Sequence, residues 1–156
     1  MNYCFAADRT LGKLVKWLRI LGFDTLFESD VGSQWFYQHL EPERVLLTRI
    51  EKNRSRFADR RPVFIEADDV SGQLRQVVEA VGIAREDVRL FSICLQCNAP
   101  VIEVDKQIIY GLVPDYIWET HDEFHRCRKC ERIFWAGSHT QRSMELVKQL
   151  FEQHCP

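Results

Sequence analysis

The sequence predicts an α/β fold: a parallel sheet with helices on both faces, followed by a small cysteine-rich module. Three observations lead there. Strand-like and helix-like segments alternate from the N-terminus to about residue 88, the pattern of a parallel sheet connected through helices. The alternation breaks after Gly82. Two Cys-x-x-Cys pairs then follow, Cys94/Cys97 and Cys127/Cys130, among short strand-like segments.

Asn2–Ala7 reads as an apolar strand. Thr10 is placed to cap a helix carrying Leu11, Leu14, Val15, Leu18 and Leu21 at helical spacing, with Gly22 as its stop. Asp24–Phe27 is a second strand. Gly32–Leu40, rich in aromatics (Trp35, Phe36, Tyr37), is a helix. Val45–Thr48 is a buried strand by its apolar, partly β-branched character, Arg54–Asp59 a short helix and Val63–Ile65 a fourth strand. Val70–Val81 places Leu74, Val77, Val78 and Val81 on one helical face and closes at Gly82. An insertion surrounds Pro114, and a last helix, 141–153, carries Met144, Val147, Leu150 and Phe151. The expected boundary lies near residue 88, giving modules 1–88 and 89–156. No long Gly/Ser/Pro linker separates them, so they are expected to pack together.

Each cysteine pair brings two thiolates within reach of one ion, and four sulfurs match the tetrahedral preference of structural Zn²⁺. The spacer, residues 98–126, is a little longer than a compact zinc ribbon usually has. A disulfide or redox role is the alternative, although a thioredoxin-like motif needs one pair placed just after a strand of a βαβ unit. A closed four-cysteine site braces a fold and does no chemistry. Cys4, in an apolar strand, reads as a small buried hydrophobe and Cys155 as incidental.

A chain of 156 residues, 46% hydrophobic and 28% charged, is long enough for one core with a small appendage and ordinary for a soluble protein. No run is apolar enough to cross a membrane. The N-terminus does not read as a signal peptide. Six cysteines without one point to a reducing, cytoplasmic setting. The net charge of −2 names no polyanionic partner, but basic residues cluster locally. Arg49, Lys52, Arg54, Arg56, Arg60 and Arg61 form one group, and Arg126, Arg128, Lys129 and Arg132 another. Either could contact phosphates or simply be a solvated surface.

Ligands of open parallel sheets collect at the carboxyl ends of the strands. Asp8 follows the first strand, Asp30 lies shortly after the second, Glu51 is near the end of the third, and Glu66, Asp68 and Asp69 follow the fourth. Meeting at one rim, such carboxylates could hold Mg²⁺ or Mn²⁺ and activate a water for phosphodiester hydrolysis. The plainer alternative is that they cap helices or face solvent. Lys13, Lys16 and Arg19 lie at i, i+3 and i+6 on the first helix, with Lys13 near the same rim; a solvated helix face is again the alternative. Trp17 reads as packed. His139 could hold the turn after the second cysteine pair or touch phosphate, and His121 and His125 are ligands only if a cysteine is not.

Several segments together resemble the Mut-seven C-terminal RNase domain family. They are Asp8-Arg9-Thr10-Leu11-Gly12-Lys13-Leu14, Trp17–Thr25, Arg44-Val45-Leu46-Leu47-Thr48-Arg49, Gln73-Leu74, Cys94-x-x-Cys97-Asn98, Pro114, Cys127-x-x-Cys130 and Trp135-x-Gly137-Ser138-His139. The matches run in order over almost the whole chain. The resemblance implies a PIN-like three-layer α/β/α sheet fused to a C-terminal zinc ribbon, and a metal-dependent ribonuclease ancestry. It makes Asp8 the first metal-binding acid; the strand-end reading adds Asp30 and Asp68 or Asp69 as its helpers. On the same reading the basic residues Lys13, Arg19, Arg49, Lys52 and Arg54 would steer RNA, and the resemblance raises a homodimer. One departure stands out: the family continues Leu-Leu-Thr-Arg with Asp, and here that position is Ile50. The expected middle acid falls near Gly32, where the nearest real one is Asp30. The expected function is therefore a Mg²⁺- or Mn²⁺-dependent ribonuclease. The alternatives are a nuclease-like fold that only binds RNA or protein, and a zinc-braced protein that mediates contacts in a larger assembly.

Overall fold

The computed structural model describes residues 2–152. Four strands, β1 (Cys4–Ala7), β2 (Asp24–Phe27), β3 (Val45–Thr48) and β4 (Val63–Phe64), form a parallel sheet in the order β2-β1-β3-β4. Ala6 pairs with Leu26 on one side and Leu46 on the other, so residues of one parity share a face across three strands. Phe5, Ala7 and Leu47 face the larger core. There they meet α1 (Gly12–Ile20) through Leu14, Val15 and Leu18, and α5 (Val70–Val81) through Leu74 and Val77. Ala6 and Leu46 face a smaller core built on Phe36 of α3 (Ser33–Gln38), with Leu40 and Phe57 at its margin. The result is the three-layer α/β/α arrangement expected.

Local chemistry sets the ends of α1 and α5. α5 starts on Asp69, whose Oδ2 accepts the Gly72 N–H at 3.0 Å, and stops at Gly82 in the left-handed region. After α1, Gly22 takes φ +91, and a Cβ there would lie 2.3 Å from the Arg89 carbonyl oxygen. Only glycine lets the returning chain approach this closely. The returning segment then donates from Arg89 and Phe91 N–H to the Leu21 and Ile20 carbonyls, each at 2.9 Å. Thr10 does not cap α1; the cap position is Leu11, and the Thr10 hydroxyl bonds Asp8 instead. A one-turn helix, α2 (Glu28–Val31), was not foreseen, and α4 runs Glu51–Arg56, starting earlier than expected.

Beyond residue 92 the chain builds an antiparallel sheet, β5 (Val101–Val104), β6 (Phe124–Cys127) and β7 (Ile133–Phe134), in the order β5-β6-β7. Its own core is Ile109, Val113, Ile117 and Phe124, completed by α6 (Asp115–Thr120) within the insertion between β5 and β6. The last helix, α7 (Ser138–Glu152), leaves this module and buries Val147 and Leu150 in the larger core beside α5. The expected 141–153 helix thus begins earlier, and its final residue and Cys155 lie outside the described residues.

Candidate functional site

The parity that turns Ala6, Leu46 and Leu26 toward α3 brings Asp8, Thr48 and Glu28, two residues further on, to the same face of the carboxyl rim. Asp8 is fully buried. Its Oδ1 accepts the Thr10 N–H at 2.7 Å and the Thr10 hydroxyl; its Oδ2 accepts the Thr48 hydroxyl and the Arg49 N–H at 2.9 Å. Four donors fill the roughly four lone-pair positions a carboxylate offers. Asp8 therefore ties the ends of β1 and β3 together.

Glu28 is the second carboxylate of this rim, and sequence reasoning passed over it for Asp30. It is 1% exposed. It accepts the Arg9 N–H at 3.2 Å, the Tyr37 hydroxyl at 3.0 Å, the Ser33 hydroxyl, and more loosely the Arg9 guanidinium at 3.4 Å. Burial pushes its carboxyl up, but the hydrogen bonds from Ser33, Tyr37 and Arg9 outweigh that and hold it below the usual carboxylate value. Tyr37 is pushed up to about 12, first by burial and then by its bond to Glu28, against the opposing bond from Asn53. Asn53 completes the chain of contacts: its Nδ2 donates to the Tyr37 hydroxyl at 2.7 Å and to Thr48 Oγ1 at 3.3 Å. A continuous polar network thus runs Glu28–Tyr37–Asn53–Thr48–Asp8. The available signal was Glu28's position one residue past a strand, in phase with Leu26.

Ile50 sits at the N-cap of α4 and adds only backbone groups, its N–H donated to Thr48 Oγ1 and its carbonyl accepting the Asn53 N–H, each at 3.0 Å. The other sequence candidates are spread around the rim. Asp30 is paired with Arg19 at 3.0 Å. Asp68 is almost wholly exposed and paired with Arg49 at 2.8 Å. Asp69 caps α5. Among the described residues, no three carboxylates converge on a common point as metal ligands would. Of the basic candidates, Lys13 and Lys52 are exposed, while Arg54 lies over the Phe64 ring. Arg19 is buried, donating to the Thr25 and Leu95 carbonyls. It fastens β2 to the first cysteine turn, where the sequence suggested a ligand for RNA.

The four cysteines converge. All four Sγ atoms lie within 4.8 Å of one another. The Cys94–Cys130 separation, 3.8 Å, matches the edge of a tetrahedron with metal–sulfur bonds of about 2.3 Å, which is about 3.8 Å long. It is far from the roughly 2 Å of a disulfide. The two pairs are copies of one turn. The residue after each second cysteine, Asn98 or Glu131, has positive φ and donates its N–H to the carbonyl of the first cysteine at 3.0 Å. Lys129 and Cys130 N–H groups point at the Cys127 sulfur, at 3.3 and 3.5 Å. Burial opposes ionisation of Cys127, but these N–H groups outweigh it and bring the thiol below its usual range. Burial and the crowding of the other thiols, Cys130 first, push Cys97 up. Bringing a cation among the four sulfurs would relieve that crowding. His121 is not a ligand; its ring nitrogens bond the Ile117 and Ala136 carbonyls.

A family model described as the Mut7-C RNAse domain matches residues 3–147. The chain belongs to the Mut7-C RNAse domain family. No curated protein and no solved structure matches it.

The Mut7-C match spans both modules, from β1 to the face of α7 that enters the larger core. It brings a ribonuclease association and with it an implied divalent cation at the rim. The residues present do not fit that ion. Asp8 and Glu28 are each engaged by four donors, and the Ile50 side chain offers no oxygen. The cysteine cluster does fit a metal. Among the described residues, no helix is long and apolar enough to cross a membrane.

Proposed function

We propose that this chain is an RNA-binding protein of ribonuclease descent whose rim does not hydrolyse RNA, braced by structural Zn²⁺ on Cys94, Cys97, Cys127 and Cys130. The observation that carries the reading is the closure of Asp8 by Thr10, Thr48 and Arg49. A carboxylate whose lone pairs are all occupied by fixed donors must break those bonds to ligate Mg²⁺ or Mn²⁺, and Ile50 removes the neighbouring acid that would help. RNA association is supported by the family and by Lys13, Lys52 and Arg54 around the rim. The setting is taken to be the cytoplasm.

The test is incubation of the purified chain with labelled single-stranded RNA and Mn²⁺, beside Asp8→Asn and Ile50→Asp. The native chain should bind RNA in a salt-dependent way and leave it intact. Cleavage by the native chain that disappears in Asp8→Asn would restore the ribonuclease reading. Ile50→Asp is a fair probe because position 50 is an N-cap, where Asp is favoured by about 1 kcal/mol over an apolar residue.

A protein contact is the second reading. It is favoured by the exposed Ile108, Tyr110, Leu112 and Tyr116 of the ribbon insertion, with Asp115 and Glu119 nearby in the chain. A second copy of the chain is one candidate partner. Sedimentation of the native chain against Tyr110→Glu tests it: a dimer that dissociates in the variant supports the homodimer.

A further inference from the structure

We propose that single-stranded RNA lies in the cleft between α1 and the ribbon, with its phosphates on Lys16, Arg132 and Arg142 and a base stacked on Phe134. This deepens the RNA-binding reading above and rests on it. Two adjoining hollows, of about 590 and 430 Å³, share Lys16, Leu95 and Phe134. The first opens at Gly12, Phe27 and Asp30, beside the carboxyl rim; the second ends at His139 and Arg142 on α7. Together they make one path from the rim, along the outer face of α1, across the ribbon.

The charge along that path is one-sided. Lys16, Arg132 and Arg142 are exposed, and among the described residues none has a carboxylate within ion-pair distance. The lining acid, Asp30, is already paired with Arg19. In a chain of net charge −2, the cleft gathers three cations that no carboxylate among the described residues offsets. The ribbon insertion between β5 and β6 is acidic, with Asp105, Asp115, Glu119, Asp122 and Glu123, so a polyanion favours the cleft over the insertion.

Between the cations lie half-buried rings, Phe27, Phe91 and Phe134, with Phe91 edge-on to His139 at 6.0 Å between ring centroids. Cations spaced along a groove with ring faces between them are what a strand with unstacked bases requires. A duplex keeps its base faces internal and presents only phosphates and groove edges. The ligand class is therefore single-stranded.

Fluorescence anisotropy with a labelled oligouridylate, and with a blunt RNA duplex of equal length, tests this. The K16E/R132E/R142E variant should bind the single strand about 100-fold more weakly at low salt. Its slope of log Kobs against log[salt] should fall by about 2, the share of three single-strand phosphate contacts. Phe134→Leu should lose affinity several-fold with the slope unchanged. R128E/K129E, a charge reversal on the ribbon outside the cleft, should cost much less. The proposal is overturned if that control costs as much as the cleft variant, if the cleft variant binds like the native chain, or if the duplex binds as tightly as the single strand. If the native chain binds no RNA even at low salt, the RNA-binding reading fails as well; native binding with an unaffected cleft variant sinks the cleft alone.

Discussion

The cysteine cluster and the carboxyl rim are both gatherings of ligand atoms, and their atoms are spent differently. The four thiols turn their sulfurs toward one another, with N–H groups behind Cys127. The two rim carboxylates turn each oxygen toward donors of the protein itself, Asp8 toward Thr10, Thr48 and Arg49, and Glu28 toward Arg9, Ser33 and Tyr37. A metal needs lone pairs with nowhere else to go. The ribbon leaves them open to one centre, and the rim closes them pairwise.

The comparison breaks most visibly at the ribbon. Removing the metal with a strong chelator, or replacing Cys127 by Ser, should release about one zinc per chain and unfold β5–β7. Apparent zinc-binding energies of small modules reach about 10 kcal/mol or more, beyond what a core as small as Ile109, Val113, Ile117 and Phe124 supplies. Metal analysis with the fluorescence of Trp118 and Trp135 reads this out, and a Cys127→Ser chain that melts like the native one would make the cluster a bystander.

Asp8→Ala is the next largest effect and separates the two accounts of the rim. If Asp8 ties β1 to β3, its loss strands buried donors at Thr10, Thr48 and Arg49 and costs about 3–5 kcal/mol by urea titration. A carboxylate waiting for a cation beside Glu28 would instead be a source of repulsion, and its removal would be neutral or stabilising. A Tm at or above the native value in the absence of divalent ions would point to the second account.

How far all this could be read in the sequence follows the range of the signal. Strands β1 to β4 and helices α1 and α5 declare themselves through periodicity and their glycine stops, and the cysteine turns through a spacing of three residues. The rim is assembled from four separate segments, so nothing local marks it. Asp30 lies nearer the expected position than Glu28, yet the turn of α2 sends Asp30 to Arg19 and keeps Glu28 beneath Tyr37. Arg19 misleads for a geometric reason. Three residues advance a helix by about 300°, so the Lys13–Lys16–Arg19 row drifts about 60° per step and ends against β2 instead of in solvent.

Glu28 gives a pH-dependent version of the same contrast. Its carboxyl is held below its unfolded value, about 4.3, so the native state favours the ionised form. That contribution is complete above pH 4.3 and is lost as pH falls through the lower folded value. Glu28→Gln should flatten this acid limb of stability, measured by urea titration between pH 6 and pH 3, and an unchanged limb would assign the loss to other carboxylates.

The smallest expected effect tests whether the rim is one network or two separate carboxylates. Tyr37 joins them through Asn53, and Tyr37→Phe removes that single link while keeping the ring stacked on Phe57. The expected cost is about 1 kcal/mol, because Glu28 keeps its Ser33 and Arg9 donors. The sign with pH is opposite to that of Glu28. Tyr37 is raised to about 12, so its contribution is full below an unfolded value near 10 and is lost as pH rises toward 12. Native stability should therefore decline over that alkaline window and the Phe variant should decline less, with the phenolate absorbance of the native chain reporting one late-titrating tyrosine. Combining Tyr37→Phe with Asp8→Ala then decides the question. If Asn53 couples the two ends, the double variant loses less than the sum of the singles; strict additivity would divide the rim into two independent anchors.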